Sequence, residues 1–129
     1  MNGVLKAGVR SKTKRRSRGP EAQLKSAVVD CLRMIPGVHV LRMNAGVMHV
    51  GGENDKRRIH LGEVGTPDLL VMLPCGRSLW LELKAPSGTL SPAQAAWHER
   101  ARKLGHTVHV VRDTRDAIDL VTRSKAGMG

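Results

Sequence analysis

Apolar residues recur at helical spacing through residues 21–34, at alternate positions through 38–43, and almost without interruption through 69–73 and 78–83. Leu24, Val28, Cys31, Leu32 and Ile35 form the helical stripe, and Glu21, one turn before Leu24, falls on its core-facing side. Gly19-Pro20 opens this helix and Pro36-Gly37 closes it. Val38 and Val40, with Arg42 following on the same side, predict a strand. Residues 44–64 are broken by Gly46, Gly51, Gly52 and Gly62 and by Lys56-Arg57-Arg58, and read as a loose hairpin or long loop able to touch a substrate.

Residues 69–73 and 78–83 predict two strands joined by Pro74-Cys75-Gly76, with proline presetting a type I turn and glycine taking the left-handed position. If Leu73 faces Arg77 across that loop, Asp68 lies opposite Glu82 and Lys84 follows on the same face. A loop one residue shorter would send Asp68 to the other side. Both faces of the pair are otherwise apolar, as expected when layers cover a sheet on two sides, so the fold class is α/β. Ser91-Pro92-Ala93-Gln94 is a capping-box start to a helix with Trp97, Ala101 and Leu104 inward and Gly105 at its end. A strand over 107–111 and a helix capped by Asp113 and reaching about Thr122 complete the pattern, with residues 124–129 expected to fray.

The chain of 129 residues supports one domain. Its 22 basic and 11 acidic residues give a charge of +11, which favours a polyanionic partner such as nucleic acid. Seven of the basic residues lie before Pro20 with no acid among them, so residues 1–18 read as a disordered arm, either a solubilising tail or a phosphate-tracking extension. No apolar run approaches the ~20 residues a membrane span requires, and no secretory signal is visible. Cys31 and Cys75 stand far apart without zinc-finger spacing, and the six histidines form no His-Glu-x-x-His run. With Trp80 and Trp97 as the only aromatic rings besides histidine, a base-stacking RNA-binding module is disfavoured.

Asp68 and Glu82 are hard oxygen donors placed where an apolar hairpin should have none, and ionised groups there need a partner or a metal. They suit Mg²⁺ or Mn²⁺, with the Leu83 carbonyl and Glu21 as further ligands, directly or through water. Lys84 beside them can orient a water or a scissile phosphate, the equipment of phosphodiester hydrolysis. The bland alternative makes Glu82 and Lys84 an edge-strand ion pair and Pro67-Asp68 a simple turn. Arg42, Lys56, Arg57 and Arg58 are candidate phosphate contacts, or else a solvated face.

The segments Pro20-Glu21-Ala22-Gln23, Gly62-Glu63-Val64-Gly65-Thr66-Pro67-Asp68-Leu69, Leu81-Glu82-Leu83-Lys84 and Leu90-Ser91-Pro92-Ala93-Gln94 resemble the PD-(D/E)XK nuclease superfamily, and within it the VRR-NUC family of virus-type replication and repair nucleases. The resemblance implies a restriction-endonuclease-like core, a mixed central sheet flanked by helices, spanning residues 19–123. It implies a Mg²⁺- or Mn²⁺-dependent endonuclease cutting branched DNA, at Holliday junctions or flaps, in a bacterial or phage-infected cytoplasm. By position it makes Asp68 and Glu82 metal ligands, Lys84 the water-orienting amine, Glu21 an additional acid and Gln94 a site-lining residue. It also implies a homodimer. A non-catalytic basic DNA-binding module and a nuclease nicking ordinary duplex are the alternatives.

Overall fold

The computed structural model describes residues 19–43, 46–52 and 57–127, so the expected arm and the last two residues of the expected tail lie outside it. In chain order the elements are α1 (Pro20–Leu32), β1 (His39–Arg42), β2 (Gly46–Val50), β3 (Arg57–Leu61), β4 (Leu69–Met72), β5 (Ser78–Leu83), α2 (Pro92–Lys103), β6 (Val108–Val111) and α3 (Thr114–Lys125). Four strands make one mixed sheet in the order β1-β4-β5-β6, antiparallel except for the parallel β5–β6 pair. The strands β2 and β3 form a separate antiparallel hairpin, so of the two readings of residues 44–64 the hairpin is the one adopted.

Period-two alternation divides the main sheet into two unlike faces. Leu69, Val71, Leu73, Leu79, Leu81 and Leu83 point to one side, where they are buried with Val28, Val29 and Leu32 of α1 and Ala117 and Val121 of α3. Val29 widens the apolar stripe of α1 beyond the spacing pattern, while Cys31 is only half-buried. The opposite face carries Trp80 and Glu82, against which α2 lays Trp97 and His98. Met72 on this second face is 46 % exposed, because α2 covers the β5–β6 side and leaves β4 partly open.

The register is the one that a three-residue connection requires: Leu69 faces Leu81, Leu70 faces Trp80, Val71 faces Leu79, and the Leu73 amide bonds the Arg77 carbonyl at 2.8 Å. The turn itself differs from the expected type I. Cys75, as well as Gly76, is left-handed, with φ 63° and 75° respectively. Arg77 explains a second departure, since α3 continues past Thr122 to Lys125. The Arg77 guanidinium donates to the carbonyls of Ser124 and Lys125, satisfying acceptors that a helix C-terminus leaves unpaired. Lys125 in turn donates to the Pro36 carbonyl.

Gly65 is required twice over in the loop that enters β4. Its φ is +95°, and a Cβ there would lie 2.5 Å from the Ala93 carbonyl oxygen, where the loop presses on the first turn of α2. Thr66 bonds the Glu63 carbonyl through its hydroxyl, and Pro67 is fully buried. Gly65→Ala is therefore expected to lower the unfolding free energy by about 2 kcal/mol or more, the combined cost of left-handed strain and backbone collision. Urea denaturation would read this as a lower midpoint at unchanged slope.

Candidate active site

The entry loop delivers Asp68 to the start of β4, where its side chain replaces a strand partner. Its Oδ2 accepts the Leu83 amide at 2.8 Å, and its backbone carbonyl accepts the Met43 amide at 2.9 Å. Asp68 thus joins β1, β4 and β5 at one end of the sheet. Leu83, its side chain in the core, lies opposite Pro67 in the register of the pair, and proline has no N–H to give. The antiparallel ladder therefore supplies no donor to the Leu83 carbonyl, which is left available to a ligand.

Glu82 and Lys84 follow on the second face of β5. The Glu82 residue is 1 % exposed and Lys84 8 %. From α2, Gln94 Nε2 lies 3.2 Å from Glu82 Oε2 and His98 Nε2 lies 3.0 Å from Oε1. From α1, Glu21 Oε2 faces Lys84 Nζ at 4.0 Å, and Lys25 Nζ is 3.2 Å from Asp68 Oδ1. The loop after Lys84 is held by Arg112, whose guanidinium donates to the carbonyls of Ala85 and Gly88 at 2.8 Å each and of Pro86 at 3.3 Å.

Glu21, Asp68, Glu82, Lys84 and Gln94 thus converge on one end of the sheet. Gln94 serves two ends at once. Its side-chain oxygen accepts the Ser91 amide in a complete capping box while its amide nitrogen reaches Glu82. The phosphate-contact candidates are scattered. Arg42 is exposed at the end of β1, one residue before the amide that bonds Asp68. Arg57 is exposed at the start of β3, Arg58 pairs with His49 in the hairpin backbone, and Lys56 lies outside the described residues.

Sequence reasoning passed over two residues of this cluster, Lys25 and His98. Each stands four residues beyond a residue that it did single out, Glu21 and Gln94, and so on the same helical face. Extending each candidate by one helical turn would have found both.

Burial first, then a hydrogen bond and like charge from Asp68, push the Glu82 carboxyl up to about 8, with Lys84 pulling the other way. Burial, and then the charges of Arg102 and Lys84, hold His98 below the usual histidine range. The Glu82–His98 contact at neutral pH is accordingly a hydrogen bond with a neutral imidazole. Among the described residues no three His, Cys, Asp or Glu side chains form a ready cage for a metal. The donor chemistry still fits a hard cation: two adjacent carboxyl groups that repel when both ionise, the Leu83 carbonyl beside them, and the remaining positions left to water, as Mg²⁺ prefers. No helix among the described residues is long and apolar enough to cross a membrane.

In the metal-free chain, folded Glu82 holds a proton that an unfolded carboxyl has already lost. The stability contributed by this group is complete below about pH 4.5, declines as pH rises, and is gone above about pH 8. Denaturation in chelator across that range should show the decline. Glu82→Gln, which cannot ionise, should flatten it.

Comparison with known proteins gives a consistent set of matches. A family model described as "VRR-NUC domain" matches residues 21–114. A solved structure described as "VRR_NUC domain" superposes with a TM-score of 0.58 at 25 % identity, covering 81 % of this chain and 97 % of that one. A protein of Acyrthosiphon pisum secondary endosymbiont phage 1, described as "Putative nuclease p44", is 44 % identical over 55 residues. That match takes in 43 % of this chain and spans 58 % of the length of its relative.

Proposed function

The chain belongs to the VRR-NUC family of nucleases and has its restriction-endonuclease-like fold, and from that premise we propose that it is a Mg²⁺- or Mn²⁺-dependent endodeoxyribonuclease acting on branched DNA, a Holliday junction or a flap. The observation that carries the proposal is the meeting of Asp68, Glu82 and Lys84 at one end of adjacent strands, with Glu21 facing Lys84. Asp68, Glu82 and the Leu83 carbonyl are the groups that would hold the ion, with Glu21 joining them directly or through water. A bound divalent ion supplies a water of lowered pKa and offsets charge developing on the phosphate.

The chain's own residues do the rest of the work. Lys84 is buried along its stem with its ammonium beside the acids, where it orients the attacking water or a phosphate oxygen. Gln94 acts through Glu82, and Lys25 brings a second ammonium to the rim of the site. Arg42, next to the Asp68 contact, and the basic residues of the hairpin follow the DNA backbone together with the arm, in keeping with a charge of +11. Among the described residues every helix packs on the sheet and none is spare for reading base sequence, which favours recognition of DNA shape. Pairing of two copies would set two such sites on opposed strands of a junction. The phage relative fits action in the cytoplasm of a bacterial or phage-infected cell.

The test is a panel of linear, flapped and four-way DNA substrates incubated with Mg²⁺ or Mn²⁺. Cleavage confined to branched forms is expected. Asp68→Ala and Lys84→Ala should each lower the rate by on the order of 100-fold or more while leaving salt-sensitive binding in place. Equal cutting by Lys84→Ala and wild type would remove the assigned chemistry. The charge of the chain also favours a second reading, a basic module that binds DNA without cutting it. Tight binding with no cleavage under either metal would select it.

A further inference from the structure

Glu82 is gripped by two donors from a single helix. Gln94 and His98, one turn apart on α2, each take a different oxygen of the same carboxyl group. A carboxyl group can spin about its last bond, and two N–H donors on separate oxygens fix its plane. The orientation of the Gln94 amide is set independently, because its oxygen accepts the Ser91 amide and its nitrogen must therefore face Glu82.

The imidazole has no such external anchor. The side chains of His98 and Glu82 are 1 % and 2 % exposed, and His98 Nδ1 is buried without a hydrogen-bond partner. A carboxylate that holds a cation is ionised, and to donate to it His98 must carry its proton on Nε2, which leaves the bare Nδ1 as the unpaired atom. A buried acceptor without a partner costs about 1–3 kcal/mol. What the imidazole supplies in return is its single directed bond to Glu82.

We propose that His98 is a positioning residue for the nuclease site: its Nε2–H holds the Glu82 carboxylate in the plane and rotamer that receive the divalent ion. This inference rests on the metal-dependent reading of the site given above. It assigns His98 no contact with DNA or with the ion, since its action passes through Glu82. Groups that orient a metal ligand in this way commonly govern affinity for the ion by about 10- to 100-fold.

Mn²⁺ binding to the full chain without DNA, measured by calorimetry, tests the proposal apart from activity. His98→Leu, which fills the space and donates nothing, should weaken Mn²⁺ binding by about 10- to 100-fold. His98→Gln, whose amide nitrogen reaches about as far as Nε2, should restore most of the affinity. His98→Leu binding Mn²⁺ as wild type does would overturn the proposal. So would His98→Gln binding as weakly as His98→Leu, because packing and not the donor would then be the cause. Should His98→Leu fail to fold, His98→Asn, an amide too short to reach Glu82, takes its place beside His98→Gln: weak binding by His98→Asn alone supports the proposal, and equal binding by the two overturns it. A wild-type chain that takes up no Mn²⁺ would instead remove the metal-dependent reading on which the proposal stands.

Discussion

The bond from the Leu83 amide to the Asp68 carboxylate is the contact on which the geometry of the site depends. Beyond Leu69 and Leu81 the β4–β5 ladder can no longer close by backbone alone, because Pro67 brings no N–H to the pair. A side-chain oxygen takes over for one partner and the Leu83 carbonyl is left over on the other. The same residue that ends the backbone pairing therefore leaves polar groups side by side there. With Asp68 fixed by two strands, Glu82 is fixed as its neighbour, and α1 and α2 bring their polar residues to the same place.

This arrangement gives up stability for chemistry. An apolar sheet end would fold more favourably than one that buries Glu82 beside Asp68, and the same burial and neighbouring charge push the Glu82 carboxyl up. The surrounding residues soften the cost without removing it. Lys25 lies against Asp68, Lys84 faces Glu21, and α2 offers two donors to Glu82. Gln94 shows how little extra structure this takes, since a helix cap already present is turned to hold a second group.

Much of this is legible in the order of residues along the chain. The length of the Pro74-Cys75-Gly76 connection determines strand register, and register determines that Asp68 and Glu82 share a face. Ser91 and Asp113 each act as the caps their positions announce. What stays hidden depends on partners distant in sequence. Lys25 and His98 are ordinary helix residues until α1 and α2 are packed on the sheet. The left-handed conformation of Cys75 is a local choice among turns that give the same register. The extension of α3 to Lys125 depends on Arg77, which is 47 residues from Ser124 in sequence.

Arg77 and Lys125 also make the two ends of the sheet mechanically unlike. At the turn end, cationic side chains fasten backbone carbonyls across α3, the β4–β5 connection and the segment after α1, so three parts of the chain are tied in series. At the other end the ties run largely through carboxylates, which an incoming cation can engage. The contacts that hold the turn end are thus separate from the groups that the candidate site uses, so a substitution in the site leaves the turn end tied.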